Sequence, residues 1–321
     1  MTGTTGGSGA PQIMPAKKSL ASLALAACLL LNLCCLSPAQ AAGEQPCRAS
    51  RRDGNPATCY AADARPHASR QQAGACKTIS AERKDRMLTV GGYRIAVSET
   101  GCGPDMIILH GRNYSREMMQ SLVDHYKDRF RVVTYDALGH GQSSKPAAFT
   151  LTDQSDVLTG VVKQLRLHKP VAIGFSMGSY ITLLTAERRP KLFSRMVLIG
   201  TRGLSETGGS GRIFAPQTSM EQITAFDKSV SSPVKLTDAD KESIGRSLQR
   251  FDLITDAPKA AIPALVLTGQ YDGLNTPAEG RRVAEALPNA RFHEIPDAGH
   301  IAFFENPDAV FQLTDAFIDA K

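Results

Sequence analysis

The sequence predicts an α/β fold: a mostly parallel sheet with helices on both faces and a small helical cap. Three observations predict it. Short, continuous apolar runs of the buried-strand type recur along the chain. Helical patterns separate most of them, so the crossovers are those of a parallel sheet. The alternation breaks once, between Gly200 and Ile262, where helical segments stand in place of the next strand.

The runs are Met106–Leu109, Val132–Tyr135, Val171–Ile173, Met196–Ile199 and Leu265–Leu267, with a last strand expected at Arg291–Ile295. Ahead of them, Met87–Val90 and Tyr93–Ser98 read as a hairpin around Gly91-Gly92. Thr276-Pro277-Ala278-Glu279 is a capping box with Pro at the first helical position. Asn306-Pro307 opens a final helix whose apolar face carries Val310, Leu313 and Phe317. Within the break, Gly203–Gly211 is loop-like. Ser219 caps a helix bearing Ile223 and Phe226, and Thr237 caps another with Ile244, Leu248 and Phe251. Ligands of open parallel sheets bind beyond the carboxyl ends of the strands, so an insertion at about 202–260 is placed to become a lid.

The first 41 residues read as an address. Lys17 and Lys18 precede an apolar core, Leu20–Leu36. Pro38 breaks it, and Ala39-Gln40-Ala41 offers a small-residue cleavage site. The expectation is a cleaved signal peptide and a periplasmic or secreted protein beginning at Ala42. An uncleaved anchor and a lipoprotein modified at Cys28 are the rival readings. Residues 42–85 are polar and rich in Pro, Gly, Arg and Ala, a loop-rich arm with little to bury. Cys47, Cys59, Cys76 and Cys102 remain after cleavage. An even number in an oxidising compartment points to two disulfides of open connectivity, and none has zinc-site spacing. The net charge of +6 is spread along the chain without a basic, aromatic-interleaved run, so no nucleic-acid partner is expected. No stable membrane insertion is expected once the signal is removed.

Gly174-Phe175-Ser176-Met177-Gly178 follows one of the strands and precedes a helical run, Tyr180–Glu187. G-x-S-x-G in that context is a nucleophile elbow: Ser176 should take a positive φ with its hydroxyl projecting, and glycine fits two positions to either side. A serine hydroxyl needs a base. His67 lies in the arm, His125 and His168 near helix ends, and His293 within a strand. His300 stands in the loop after the last strand and is the best base. Asp272 follows the preceding strand, giving the order Ser176, Asp272, His300. Asp297 is the rival acid, read as serving its turn. No acid follows Ile199. His110-Gly111-Arg112 follows the first central strand and suits an oxyanion hole, with the backbone N–H groups of Arg112 and Met177 as donors. Asp136–Ser143 is a Gly-rich turn without the Lys and helix of a phosphate loop, and is read as structural.

These pieces, Leu109-His110-Gly111, the Asp136–Ser143 turn, Gly174–Gly178, Gly269–Asp272 and Gly299-His300 followed by Glu305-Asn306-Pro307, resemble the alpha/beta-hydrolase superfamily over about 86–321. The likeness is to its small serine esterases and lactonases. It implies the fold, the Ser176–Asp272–His300 triad and no metal or organic cofactor. Esterases, lactonases, amidases, carbon–carbon bond hydrolases and cofactor-free peroxidases share the motifs. Ser at 176 departs from haloalkane dehalogenases and epoxide hydrolases, which attack through a carboxylate. The expected activity is hydrolysis of a small-molecule carboxylic ester or lactone through an acyl-enzyme. The alternatives are a carbon–carbon hydrolase or perhydrolase with the same residues, and a non-catalytic binding protein. Many relatives carry an apolar or small residue at Arg112. Its guanidinium pairs either with a neighbouring carboxylate such as Glu117 or with an anionic group of the substrate.

Overall fold

The computed structural model describes residues 82–203, 210–248, 254 and 260–320. The signal segment, most of the arm and Phe251 lie outside the described residues.

Among the described residues eight strands form one sheet: β1 (Lys84–Val90), β2 (Tyr93–Thr100), β3 (Asp105–Leu109), β4 (Arg131–Tyr135), β5 (Val171–Phe175), β6 (Arg195–Ile199), β7 (Ala264–Gly269) and β8 (Ala290–Ile295), in the order β1-β2-β4-β3-β5-β6-β7-β8. The hairpin β1–β2 and the β2–β4 pair are antiparallel, and every other pair is parallel. The expected strands are all present. β1 starts at Lys84, inside the stretch read as the arm, and pairs Lys84 with Glu99. Its first residues are charged and exposed, which suits an edge strand and hides it from an apolar count.

Helices cover both faces. α1 (Gln120–Tyr126), α2 (Leu151–Gln164), α3 (Met177–Arg188), α4 (Met220–Ser229), α5 (Asp238–Ser247), α6 (Pro277–Ala286), α7 (Ala302–Glu305) and α8 (Pro307–Asp319) follow in chain order. A 3₁₀ turn, Arg116–Met119, leads into α1. The two-residue period of the strands divides the core. Ile107 and Leu109 pack with Val157, Leu158, Ile181 and Val283 from α2, α3 and α6. Met106 and Ile108 pack with Leu122, Val310 and Phe317 from α1 and α8. Burying each such aliphatic side chain contributes roughly 1.5–3 kcal/mol, which is why the central strands read as unbroken apolar runs.

Caps at Thr276, Ser219 and Thr237 form as the sequence predicts, each with a reciprocal capping box. α2 starts the same way at Thr150, with Asp153 in place of the usual Glu or Gln, and that start was not among the expected ones. In α8, Thr314 joins Val310 and Phe317 on the buried side and Leu313 is half-buried. Among the described residues no helix is long and apolar enough to cross a membrane.

Candidate active site

Three strand ends bring Ser176, Asp272 and His300 together. β5 turns sharply into α3 at Ser176, whose φ is 50°. Such a φ on a non-glycine residue costs about 1–3 kcal/mol and persists only when its surroundings hold it. Here the Ser176 N–H donates to the Ile199 carbonyl at 2.8 Å, fixing the elbow to β6. The glycines are sterically required. A Cβ on Gly174 would lie 2.4 Å from the Gly178 oxygen, and one on Gly178 would lie 2.5 Å from the Leu109 oxygen. Ser176 is half-buried at the amino end of α3, where helix N–H groups favour negative charge.

Asp272 is 3% exposed and fully engaged. Oδ1 accepts from the N–H groups of Leu274 and Asn275 at 2.9 and 2.8 Å. Oδ2 lies 2.7 Å from His300 Nδ1, and His300 Nε2 lies 3.0 Å from Ser176 Oγ. This assigns Nδ1 as the protonated nitrogen and leaves Nε2 facing the hydroxyl, as a base requires. Gly200, at φ 58°, lets the chain pass beside the pair; a Cβ there would lie 3.0 Å from His300 Cε1. The Phe175 ring lies against the imidazole with centroids 5.0 Å apart. Asn275 donates from Nδ2 to the Tyr180 hydroxyl at 2.9 Å and to the Gly200 carbonyl, and burial pushes the Tyr180 phenol up to about 12.

The loop after β3 reaches the elbow. A Cβ on Gly111 would stand 3.5 Å from Ser176 Cβ, so the next residue, Arg112, starts beside Ser176. Met177 is the first residue of α3 and is buried. His110 is buried beneath the loop: Nδ1 donates to the Gly111 carbonyl at 2.8 Å and Nε2 accepts the Ala137 N–H at 3.0 Å. His140 lies edge-on to it, ring centroids 5.1 Å apart. Burial holds both below the ordinary histidine range, His140 at about 3, so both are neutral at pH 7.

One expectation about Arg112 is overturned. Glu117 is held by Arg83 through two bonds of 2.6 Å each, and Arg112 makes no side-chain hydrogen bond or ion pair to a described residue. Arg83 comes from the edge of the sheet, where no sequence spacing ties it to Glu117. Arg112 itself is exposed. Of the other candidates, His67 lies outside the described residues, and the described ones fall outside the site. His125 pairs with Asp315 at 3.0 Å. His168 is exposed, His293 lies in β8, and Asp297 sits in its turn at φ 56°. The Asp136–Ser143 turn is structural as expected, but its charge has a partner that the sequence does not reveal. Arg116, 6% exposed, donates from Nη1 to Asp136 Oδ2 at 2.5 Å, from Nε to Ser98 Oγ at 2.7 Å and from Nη2 to Gln142 Oε1 at 3.0 Å. Among the described residues no three His, Cys, Asp or Glu side chains are grouped to hold a metal ion.

A sequence profile described as "Alpha/beta hydrolase family" matches residues 106–313. The chain is 23% identical over 265 residues to 2-(acetamidomethylene)succinate hydrolase of Mesorhizobium japonicum, covering 73% of this chain and 95% of that one. Among solved structures, a thermophilic esterase from Thermogutta terrifontis matches with a TM-score of 0.64 at 25% identity, over 73% of this chain and 98% of the esterase. The enol-lactonase from Burkholderia xenovorans matches with a TM-score of 0.65 at 23% identity, over 73% of this chain and all (100%) of the lactonase. The profile spans most of the chain and every strand from β3 to β8, and on that ground the chain belongs to the alpha/beta hydrolase family.

Proposed function

We propose that this hydrolase cleaves a carboxylic ester or lactone through an acyl-enzyme on Ser176. The observation that carries the reading is the continuous relay Ser176 Oγ–His300–Asp272, at 3.0 and 2.7 Å, at the start of a helix. Ser176 Oγ attacks the acyl carbon while His300 Nε2 takes its proton, and Asp272 holds the imidazole in the required tautomer. The developing oxyanion meets the amides of Arg112 and Met177. His300 then returns the proton to the leaving alkoxide. A water, deprotonated by His300, attacks the acyl-enzyme; as the acyl–oxygen bond breaks, the imidazolium returns that proton to Ser176 Oγ and the acid is released. The esterase and the enol-lactonase among the structural relatives act on bonds of this class by their names, which supports the substrate assignment.

Ser176→Ala tests it. The variant should fold and lose essentially all hydrolysis of p-nitrophenyl esters, and a fluorophosphonate probe should label the wild type but not the variant. Retention of more than a few per cent of activity would remove Ser176 as nucleophile.

We further propose that the protein is exported, cut after Ala41 and stabilised by disulfides, with the lid formed by the insertion between β6 and β7. Support for the disulfides comes from the even number of cysteines that remain after the cut, Cys47, Cys59, Cys76 and Cys102, in an oxidising compartment. Intact mass of the exported protein, reduced and non-reduced, decides both points: a mass retaining residues 14–41 defeats cleavage, and four alkylatable thiols defeat the disulfides.

A further inference from the structure

The segment 210–218, in the insertion between β6 and β7, is stitched to the loops that carry Asp272 and His300. Gly211 N–H donates to the Gly273 carbonyl and Gly273 N–H to the Arg212 carbonyl, both at 2.9 Å. His300 N–H donates to the Ile213 carbonyl at 2.6 Å. The contact is close enough that a Cβ on Gly299 would lie 2.3 Å from the Ile213 oxygen. Gln217 Nε2 adds a bond of 2.8 Å to the Asp297 carbonyl.

One carboxylate joins the two layers. Glu305 Oε2 accepts from Gly299 N–H at 2.8 Å, on the His300 side. Glu305 Oε1 accepts from Ala215 N–H at 2.7 Å and from Thr218 Oγ1 at 2.5 Å, on the insertion side. All three partners are donors, so the site suits an acceptor-only carboxylate spanning them. The platform beneath is rigid: Ala302 and Phe303 of the same short helix are at most 1% exposed, and the Phe303 ring packs edge-on against Phe175, which itself touches the His300 ring.

We infer that Glu305 is a positioning residue for His300, clamping the base loop to the first segment of the lid and thereby setting Nε2 against Ser176 Oγ. It touches neither substrate nor the reacting atoms and acts through Gly299 and His300. The inference rests on the reading of His300 as the base. Proton transfer needs that separation held closely, and misplacement by about 1 Å can cost on the order of a hundredfold in rate. The insertion that carries α4 and α5 is thus mechanically joined to the base, so displacing the lid segment disturbs the relay.

The test is Glu305→Gln in the full-length exported protein, assayed with a p-nitrophenyl ester and with a fluorophosphonate probe. Glutamine offers one acceptor oxygen and sets an NH₂ against a donor, so one layer comes free. The expected result is a fall of roughly tenfold or more in kcat and in labelling rate, with KM within about twofold and a normal circular-dichroism spectrum. Rates within twofold of wild type overturn the inference, and so does a raised KM with unchanged kcat, which would assign the segment to substrate binding alone. If Glu305→Gln does not fold, Thr218→Val decides: it removes one of the two bonds on the insertion side. A loss of about threefold in kcat is then expected, and none overturns the inference. A wild type that does not label at Ser176 removes the base reading itself, and this inference with it, so the two failures are distinguishable.

Discussion

The loops after β3 and β4 and the loops after β7 and β8 share one edge of the sheet but are held by different forces. On the β3–β4 side the ties are buried side chains. Arg116 and Asp136 are 6% and 1% exposed, and the neutral imidazoles of His110 and His140 fill the space beneath the loop after β3. On the β7–β8 side the buried Asp272–His300 pair sits inside its loops, and what ties those loops outward is main-chain bonds to segment 210–218 and one half-buried carboxylate, Glu305. Buried charge is tolerated only when every partner is present, so the first side stands or falls with the fold. Main-chain ties at a half-exposed loop can loosen without unfolding the sheet, so damage on the second side should register as lost rate.

The largest expected effect tests that contrast. Arg116→Met keeps most of the stem volume and leaves the buried Asp136 carboxylate without its counter-charge, held only by the N–H groups of residues 116 and 142, which should cost about 3 kcal/mol. Urea unfolding should show a lowered midpoint far beyond that of Glu305→Gln, whose defect should lie in kcat. If Arg116→Met is nearly as stable as wild type, or Glu305→Gln is the less stable of the two, the contrast is wrong.

The same contrast separates what is legible in the amino-acid sequence from what emerges only in the folded chain. The strands and the elbow are legible because their signals are local: apolar runs with a period, a Gly-x-Ser-x-Gly between a strand and a helix, and an acid and a histidine each just past a strand. The pairing of Arg116 with Asp136 is not, because the partners are 20 residues apart and meet only when β3 and β4 lie side by side. A pairing of Glu117 with Arg112, expected from their nearness along the chain, fails for the same reason: Arg83 reaches Glu117 from 34 residues away. The stitching of segment 210–218 leaves no trace in the sequence because main-chain bonds need no particular side chain. Glu305 belongs to the recognisable run Glu305-Asn306-Pro307, yet nothing local reveals that its two oxygens face two different layers.

The buried histidines make the β3–β4 side sensitive to acid. His140 titrates near 3 in the folded chain against an ordinary 6.5, and His110 is shifted in the same direction, both chiefly by burial. Between those values the unfolded chain binds protons that the folded chain does not, so stability is complete above 6.5 and falls as pH falls. Each histidine contributes at most ~1.4 kcal/mol per pH unit. In the window from about pH 6.5 to 5 the histidines dominate, since ordinary carboxylates titrate below it; His293, also lowered by burial, adds to the drop in every variant, so the comparison with His140→Asn is what isolates the buried pair. Urea midpoints should drop across that window in the wild type and less steeply in His140→Asn. A flat wild-type profile would contradict the neutral, buried assignment.

The smallest effect is expected at Arg112, which lies on the rigid side but takes no part in its rigidity. Its guanidinium is exposed, and the carboxylate that might have neutralised it, Glu117, is occupied by Arg83. An exposed, solvated cation contributes little to stability, so Arg112→Met should leave the unfolding free energy within about 0.5 kcal/mol of wild type. The backbone amide stays in place, so turnover of neutral esters should hold as well. What the substitution removes is a cation starting beside Ser176, where we propose that it meets a carboxylate or other anion on the substrate. A lost charge-assisted contact is worth about 1.5–3 kcal/mol, so kcat/KM for an ester bearing a carboxylate should fall by roughly tenfold or more while the neutral ester is unaffected. The ratio of the two substrates within one variant cancels any general loss of active protein. If both rates fall together, Arg112 holds the loop, and the β3–β4 side depends on an exposed charge as well as on its buried ones.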